Sequence, residues 1–169
     1  MLPMGRLAQS FAGLQIQDMF PYVMKTQLTL GPSVSARNFP NADWLNTQDH
    51  PFAVHRMTVR IIALDSNGLV LAAQPDIETR EAIVLLGLLL QGFNQPMTKD
   101  AAPVEVGNLL GGTTSERYWR FEEPFVLANS YGIVASATTL AFPAGVTYAN
   151  LRITLVCQGF LLQVTRPNG

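Results

Sequence analysis

The stretch LRITLVCQGFLLQV, residues 151–164, begins as a strand with one wet face and ends as one that must be covered on both. Leu151, Ile153, Leu155 and Cys157 alternate with Arg152, Thr154 and Gln158, the period-two pattern of a half-buried strand. Past Gly159 the pattern breaks. Phe160, Leu161 and Leu162 are consecutive and Val164 follows, so apolar side chains point to both faces. A fold that accepts this strand needs a core under one face and a second cover over the other, supplied by the N-terminal segment or by another subunit.

The same period recurs upstream. From Tyr22 to Leu30, Tyr22, Met24, Leu28 and Leu30 share one parity against Lys25, Gln27 and Thr29, and Gly31-Pro32 closes the run. Residues 32–51 carry Pro, Asn, Asp and Ser in turn positions and read as a long connection anchored by Phe39, Trp44 and Leu45. Phe52 to Leu64 is the clearest strand, with His55, Met57, Val59, Ile61 and Ala63 facing one way and Arg56, Thr58 and Arg60 the other. DSNG at 65–68 turns it, Asn67-Gly68 supplying positive φ, and Leu69 to Ala73 returns as its partner.

Glu78 to Gln91 is ambiguous, because Pro75 with Asp76, Glu78 and Glu81 resembles a helix start. A helix here would be apolar all round with Gly87 in its middle, at a cost of about 1 kcal/mol, and a buried strand is the better reading. Val104–Leu110, Arg117–Phe121 and Tyr131–Leu140 add further strands, divided by Gly111-Gly112, Pro124 and Asn129-Ser130, with Pro143-Ala144-Gly145 before the last strand. The pattern predicts an all-β fold, an antiparallel two-sheet sandwich, for which jelly-roll pairing is one economical closure. The sandwich domain is expected over 21–169, with an extended N-terminal arm at 1–20. The arm is rich in large apolar groups, and Leu2, Leu7, Phe11, Leu14, Met19 and Phe20 are the predicted partner-interface residues.

Composition narrows the function. Hydrophobic residues make up 48% of the chain and charged residues 14%, against roughly 25% in a typical soluble domain, so a monomer would leave apolar surface over and a homo-oligomer is expected. With net charge -1 and basic residues scattered singly or in pairs, no phosphate-binding footprint is evident, and nucleic acid is not an expected partner. The apolar run AIVLLGLLL is about half the length of a membrane-spanning helix, and the opening residues lack the continuous apolar stretch of a signal peptide, so no membrane association is expected.

Catalytic constellations are missing. There is no G-x-S-x-G elbow. Cys157 lies mid-strand with no local positive charge to stabilise a thiolate, and reads as a small buried hydrophobe rather than a nucleophile paired with His55. His50 and His55 are spaced for opposite strand faces, which disfavours a shared metal, and His55 reads as a core-edge histidine bonded to backbone. DSNG lacks the later ligands of a calcium loop. Glu122 and Glu123 are adjacent and so face opposite ways, unlike a glycosidase acid pair. Trp44, Tyr118 and Trp119 could serve a sugar-stacking platform or simply pack in the core. No enzyme activity, catalytic residue, metal or cofactor is expected.

FPNADWLNTQDHPFAVHRM (39–57), WRFEEPFVLANSYGIVASATTL (119–140) and NLRITLVCQGFLLQV (150–164) together resemble small virion structural proteins of tailed bacteriophages, among them jelly-roll capsid decoration or cement proteins. The resemblance spans residues 20–165. It implies a protein made in the host cytoplasm that sits on the capsid surface of the virion, often as a trimer, and clamps the major capsid protein. It implies no catalytic residues. Alternatives in the same setting are a carbohydrate- or receptor-binding module of a tail or fibre, and a jelly-roll major capsid protein.

Overall fold

A computed structural model of the chain describes residues 15–40, 45–75, 83–90, 95–96, 103–106 and 119–165. In chain order the strands are β1 (Gln15–Leu30), β2 (Arg37–Asn38), β3 (Phe52–Leu64), β4 (Val84–Leu90), β5 (Gln95–Pro96), β6 (Val104–Glu105), β7 (Trp119–Leu127), β8 (Ile133–Thr139) and β9 (Asn150–Thr165). They form two antiparallel sheets. One has four strands in the order β1-β9-β3-β7, and the other has the order β2-β8-β4-β5, with β6 also on β4. The expected buried strand in residues 78–91 is present as β4, and the β-branched and leucine-rich run that rules out a wet helix face pairs along its whole length with β8.

The pairings are nested along the chain. β1 pairs with β9, β2 with β8, β3 with β7, and β4 with β5 and β6, each pair enclosed by the one before. Two further pairings, β3 with β9 and β4 with β8, join these ribbons side by side. Alternate residues of both sheets meet in one core: Leu151, Ile153, Leu155 and Cys157 from β9 and Met57, Val59 and Ile61 from β3 share it with Val84, Leu86, Ile133 and Ala135 of the other sheet. Full burial of each Leu or Ile contributes about 1.5–3 kcal/mol, so this shared core is what holds the sheets face to face.

A glycine fixes how the central strands meet. In register, Gly159 of β9 lies between Tyr22 of β1 and Val54 of β3. A Cβ on Gly159 would stand 1.9 Å from the Ala53 carbonyl oxygen and 3.1 Å from the Phe52 ring. The space above the glycine is taken by Phe52 and Tyr22, whose rings pack edge to face with centroids 5.2 Å apart. Opposite this approach β3 carries an irregularity between Val54 and Arg56, which leaves His55 as the extra residue.

The bulge corrects the expected facing of β3. Phe52 and Val54 point into the core on one parity, and Met57, Val59, Ile61 and Ala63 on the other, because the extra residue resets the alternation. His55 therefore does not continue the face of Met57. Three other expectations change as well. β1 starts at Gln15, so residues 15–20 of the expected arm are sheet. β7 runs on through Pro124, which is tolerated because β7 is an outer strand and Pro124 falls where the register with β3 is irregular. The return after β3 is a single bridge, Leu64 to Val70, rather than a strand.

That return is held by side chains. Gly68 alone of the expected pair has positive φ, 79°, and its N–H bonds the Asp65 carbonyl while the Asp65 carboxylate accepts the N–H groups of Asn67 and Leu69. Gln74 then takes the place of a neighbouring strand: its Oε1 accepts the Ala63 N–H at 2.7 Å and its Nε2 donates to the Ala63 carbonyl at 3.1 Å.

Two substitutions test this packing. Gly159→Ala forces the β9 and β3 backbones apart and is expected to cost more than about 3 kcal/mol in urea unfolding. Thr26 is 1% exposed on the core side of β1, and its hydroxyl has no hydrogen-bond partner among the described residues. Thr26→Val keeps the shape and removes the unpaired group, so it should raise stability by about 1 kcal/mol at an unchanged denaturant slope.

Candidate partner interface

Of the predicted interface residues, Leu2, Leu7, Phe11 and Leu14 lie outside the described residues. Met19 and Phe20 lie on β1, opposite Leu162 and Leu161 of β9. The three consecutive apolar residues of β9 divide between two clusters. Leu161 packs against the main core, while Phe160 and Leu162 belong to a second cluster with Met19, Ala53 and Val126. This second cluster sits on the face of the four-stranded sheet turned away from the sandwich, and within it Ala53 and Leu162 are fully buried. Met19, from the segment expected as an arm, is one of the groups that cover the second face of β9.

At the same end the β1–β9 ribbon outruns its neighbours. The last paired residue of β3 is Phe52, opposite Leu161, and the Leu162 N–H still reaches the Pro51 carbonyl at 2.8 Å. Beyond that, Asp18 pairs with Gln163, Ile16 with Val164 and Gln15 with Thr165, with no third strand beside them among the described residues. A bare two-stranded ribbon is marginal in water. Just inside it, in rows that β3 still shares, β1 bears Phe20, 47% exposed, and Val23, 54% exposed, two large apolar groups in contact with water.

The free edge of β1 is closed to strand addition over part of its length. Since the Leu162 N–H turns toward β3, the opposite residue Met19 directs its own polar groups outward, and so do the odd-numbered residues that follow. The Met19 N–H is taken by the Asp18 carboxylate at 2.8 Å. Pro21 has no N–H to offer, the register shifts between Ile16 and Asp18, and Lys25 stands exposed two rungs further on. Proline, a bulge and a lysine are the devices by which edge strands avoid pairing with other chains. Contacts at this end are therefore made with side chains.

Asn46 braces the end from below, and sequence reasoning passed it over as one more polar residue of a long connection. It is fully buried. Its Nδ2 donates to the carbonyls of Leu127 at 2.8 Å and His50 at 3.1 Å, its Oδ1 accepts the Gln48 N–H, and its backbone bonds Tyr131 and Ser130. The connection, the end of β7 and the turn before β8 are thus tied at one side chain. The anchors Phe39 and Leu45 are buried and half-buried, and Trp44 lies outside the described residues.

Of the residues considered for chemistry, His55 and the Glu122–Glu123 stretch fall together at the irregular register between β3 and β7, and the others lie apart. His50 lies in the connection, His55 at the β3 bulge, and Glu122 and Glu123 within β7; Trp119 opens β7 and Tyr118 lies outside the described residues. No group of three or more metal-binding side chains occurs among the described residues. No helix among them is long and apolar enough to cross a membrane. Compared with known proteins, the chain matches no family model, no curated sequence and no solved structure.

Cys157 points into the core, opposite Met57 and Met24, and burial pushes its thiol well above the ordinary range. The unfolded chain releases this proton above about pH 8.5 whereas the native chain keeps it, so the native state binds more protons and stability must fall as pH rises. The expected loss is about 1.4 kcal/mol per pH unit above about pH 9 relative to Cys157→Ala. Parallel alkaline stability curves for the two proteins would show that the thiol ionises freely in the native state.

Proposed function

We propose that this chain is a virion structural protein of a tailed bacteriophage, a capsid decoration or cement protein that binds the outer head shell as a homo-oligomer and stabilises it. The observation that carries the reading is the nested pairing of β1 with β9, β2 with β8, β3 with β7 and β4 with β5 and β6. If β5 and β6 count as one interrupted strand along β4, the chain is a four-rung ribbon folded at its middle and wrapped into two sheets. That nesting supports a jelly-roll reading, an architecture common in capsid proteins. Fold alone does not assign function. The reading rests also on the resemblance of residues 39–57, 119–140 and 150–164 to phage structural proteins, and on the apolar end of the β1–β9 ribbon.

That end suits a protein that works by attachment. Phe20 and Val23 are exposed on β1, and burying one such side chain contributes about 1.5–3 kcal/mol. A contact with the major capsid protein or a second copy recovers that energy, and nothing in the reading requires a catalytic group.

The chain should co-sediment with intact particles of the virus that encodes it, and the purified protein should rebind particles stripped of it. Phe20→Ser, at an exposed position, should melt as cooperatively as the parent yet bind particles at least about tenfold more weakly. Particles that never contain the chain would refute the proposal.

A further inference from the structure

We infer that Asn67 is a site of spontaneous covalent modification, at which the backbone nitrogen of Gly68 attacks the Asn67 side-chain amide and converts the turn closing β3 to aspartate and isoaspartate forms. The two groups are joined through the main chain, so the attack is intramolecular and needs no partner to bring them together. Glycine obstructs the approach least, and apart from its chain neighbours no atom lies within 4 Å of where a Cβ on Gly68 would stand. Asn67 is exposed, and its side-chain amide makes no hydrogen bond among the described residues, so nothing there holds it away from the backbone.

The step balances with water as its one co-reactant. The Gly68 nitrogen gives up its proton and bonds the Asn67 Cγ, the carbon–nitrogen bond of the side-chain amide breaks, and the amide nitrogen leaves with that proton as ammonia. A succinimide ring remains. Water opening it at the side-chain carbonyl yields aspartate in an ordinary backbone. Opening at the main-chain carbonyl yields isoaspartate, in which the chain runs through the former side chain and is longer by a methylene. Nothing is oxidised or reduced.

The fold singles out this asparagine among those described. Asn46 is fully buried, with its Nδ2 donating to two carbonyls. Asn38 lies in β2, and the N–H of the residue after it, Phe39, is held by the Ala135 carbonyl at 2.9 Å. Asn129 accepts the Ser130 hydroxyl at 3.0 Å, and the Ser130 N–H is held by the Asn46 carbonyl at 2.8 Å. Asn150 precedes Leu151, which is fully buried between β1 and β3. Asn67 alone of these is followed by glycine and stands at an exposed turn.

The consequence follows from what the turn holds. The consecutive N–H groups of Asn67, Gly68 and Leu69 all end on Asp65, the first and third on its carboxylate at 2.8 Å and the middle one on its carbonyl at 3.1 Å. The Gly68 bond is the longest of these, and it is the one that the attack gives up. The extra methylene of isoaspartate falls between the two N–H groups that share the carboxylate, so both cannot keep their places. The Asp65 N–H to Leu69 carbonyl bond and the Leu64–Val70 bridge come next, while the Gln74 bonds to Ala63 lie past the turn and still secure β3. Conversion therefore loosens the tip that carries Leu69 and Val70, 65% and 54% exposed, and leaves the core as it was. The inference goes beyond the reading above and does not rest on it.

The test is to age the full chain in mildly alkaline buffer, digest it with trypsin and map it by mass spectrometry. Cleavage after Arg60 and Arg80 gives a peptide in which Asn67 is the only asparagine, and the other Asn-Gly pair, Asn168-Gly169, which lies outside the described residues, falls on a different peptide. Expected is conversion of this peptide ahead of those bearing Asn38, Asn46, Asn129 and Asn150, to both aspartate and isoaspartate, and slowed severalfold in Gly68→Ala. In the isoaspartate fraction, amide hydrogen exchange should quicken at Leu69 and Asp65 and stay unchanged in the middle of β3. An Asn67 peptide that keeps its amide while another described asparagine converts would overturn the inference. So would aspartate without isoaspartate, the mark of direct hydrolysis, whether or not Gly68→Ala tolerates its positive φ. Isoaspartate with exchange unchanged at Leu69 would overturn the loosening of the tip.

Discussion

The double ladder of β9 is the interaction on which the rest of the structure depends. Its residues pair with β1 from Leu151 to Thr165 and with β3 from Asn150 to Leu161, so the last strand of the chain sits between the first and the third. No local hairpin builds this arrangement. The sheet closes only when the two ends of the sequence meet, and such non-local pairings carry their loop-closure entropy before any contact offsets it, which places the fold among slow-forming topologies. Gly159 permits the closest backbone approach at the centre of this ladder, and Tyr22 and Phe52 fill the space that its missing side chain leaves.

From that ladder follows the asymmetry between the two faces of the sheet. Every core residue of β9 up to Cys157 has one parity, so the other parity is free to carry Arg152, Thr154, Val156 and Gln158. Past the glycine the outward parity turns apolar, and Ala53, Phe160 and Leu162 form a separate cluster there. One strand thus presents a mixed, largely polar half and an apolar half on its outer side. The division coincides with the β3 bulge, where the extra residue re-aims β3 to match.

Much of this was legible in the alternation. β3, β8 and β9 follow from period two and from turn residues, β4 from an apolar run too uniform for a helix face, and the break after Gly159 correctly signalled a strand apolar on both faces. What was hidden had a common physical origin: features whose cause lies on another strand. The bulge at His55, which reverses parity, lies in register beside Gly159, more than a hundred positions away. Residues 15–20 looked unlike a strand because Pro21 and Asp18 break the pattern, yet both are acceptable on an edge whose polar groups face water. Asn46 and Gln74 look like ordinary loop residues, and only the carbonyls of Leu127 and Ala63 that they reach give them their roles. For the candidate interface, Met19 and Phe20 were recognisable as surplus apolar groups. The outward grouping of Lys25, Arg60 and Arg152 was not, because they are scattered singly in sequence and gather only through the register of three strands.

The scatter also explains why a low charge fraction is a poor guide to the surface of a sheet protein. In a helix, neighbours in space are three or four apart in sequence, so a charged patch announces itself as a local cluster. Across a sheet they are separated by whole connections, and a chain with 14% charged residues can bring Lys25, Arg60 and Arg152 to adjacent rows of one face without any run of like charge.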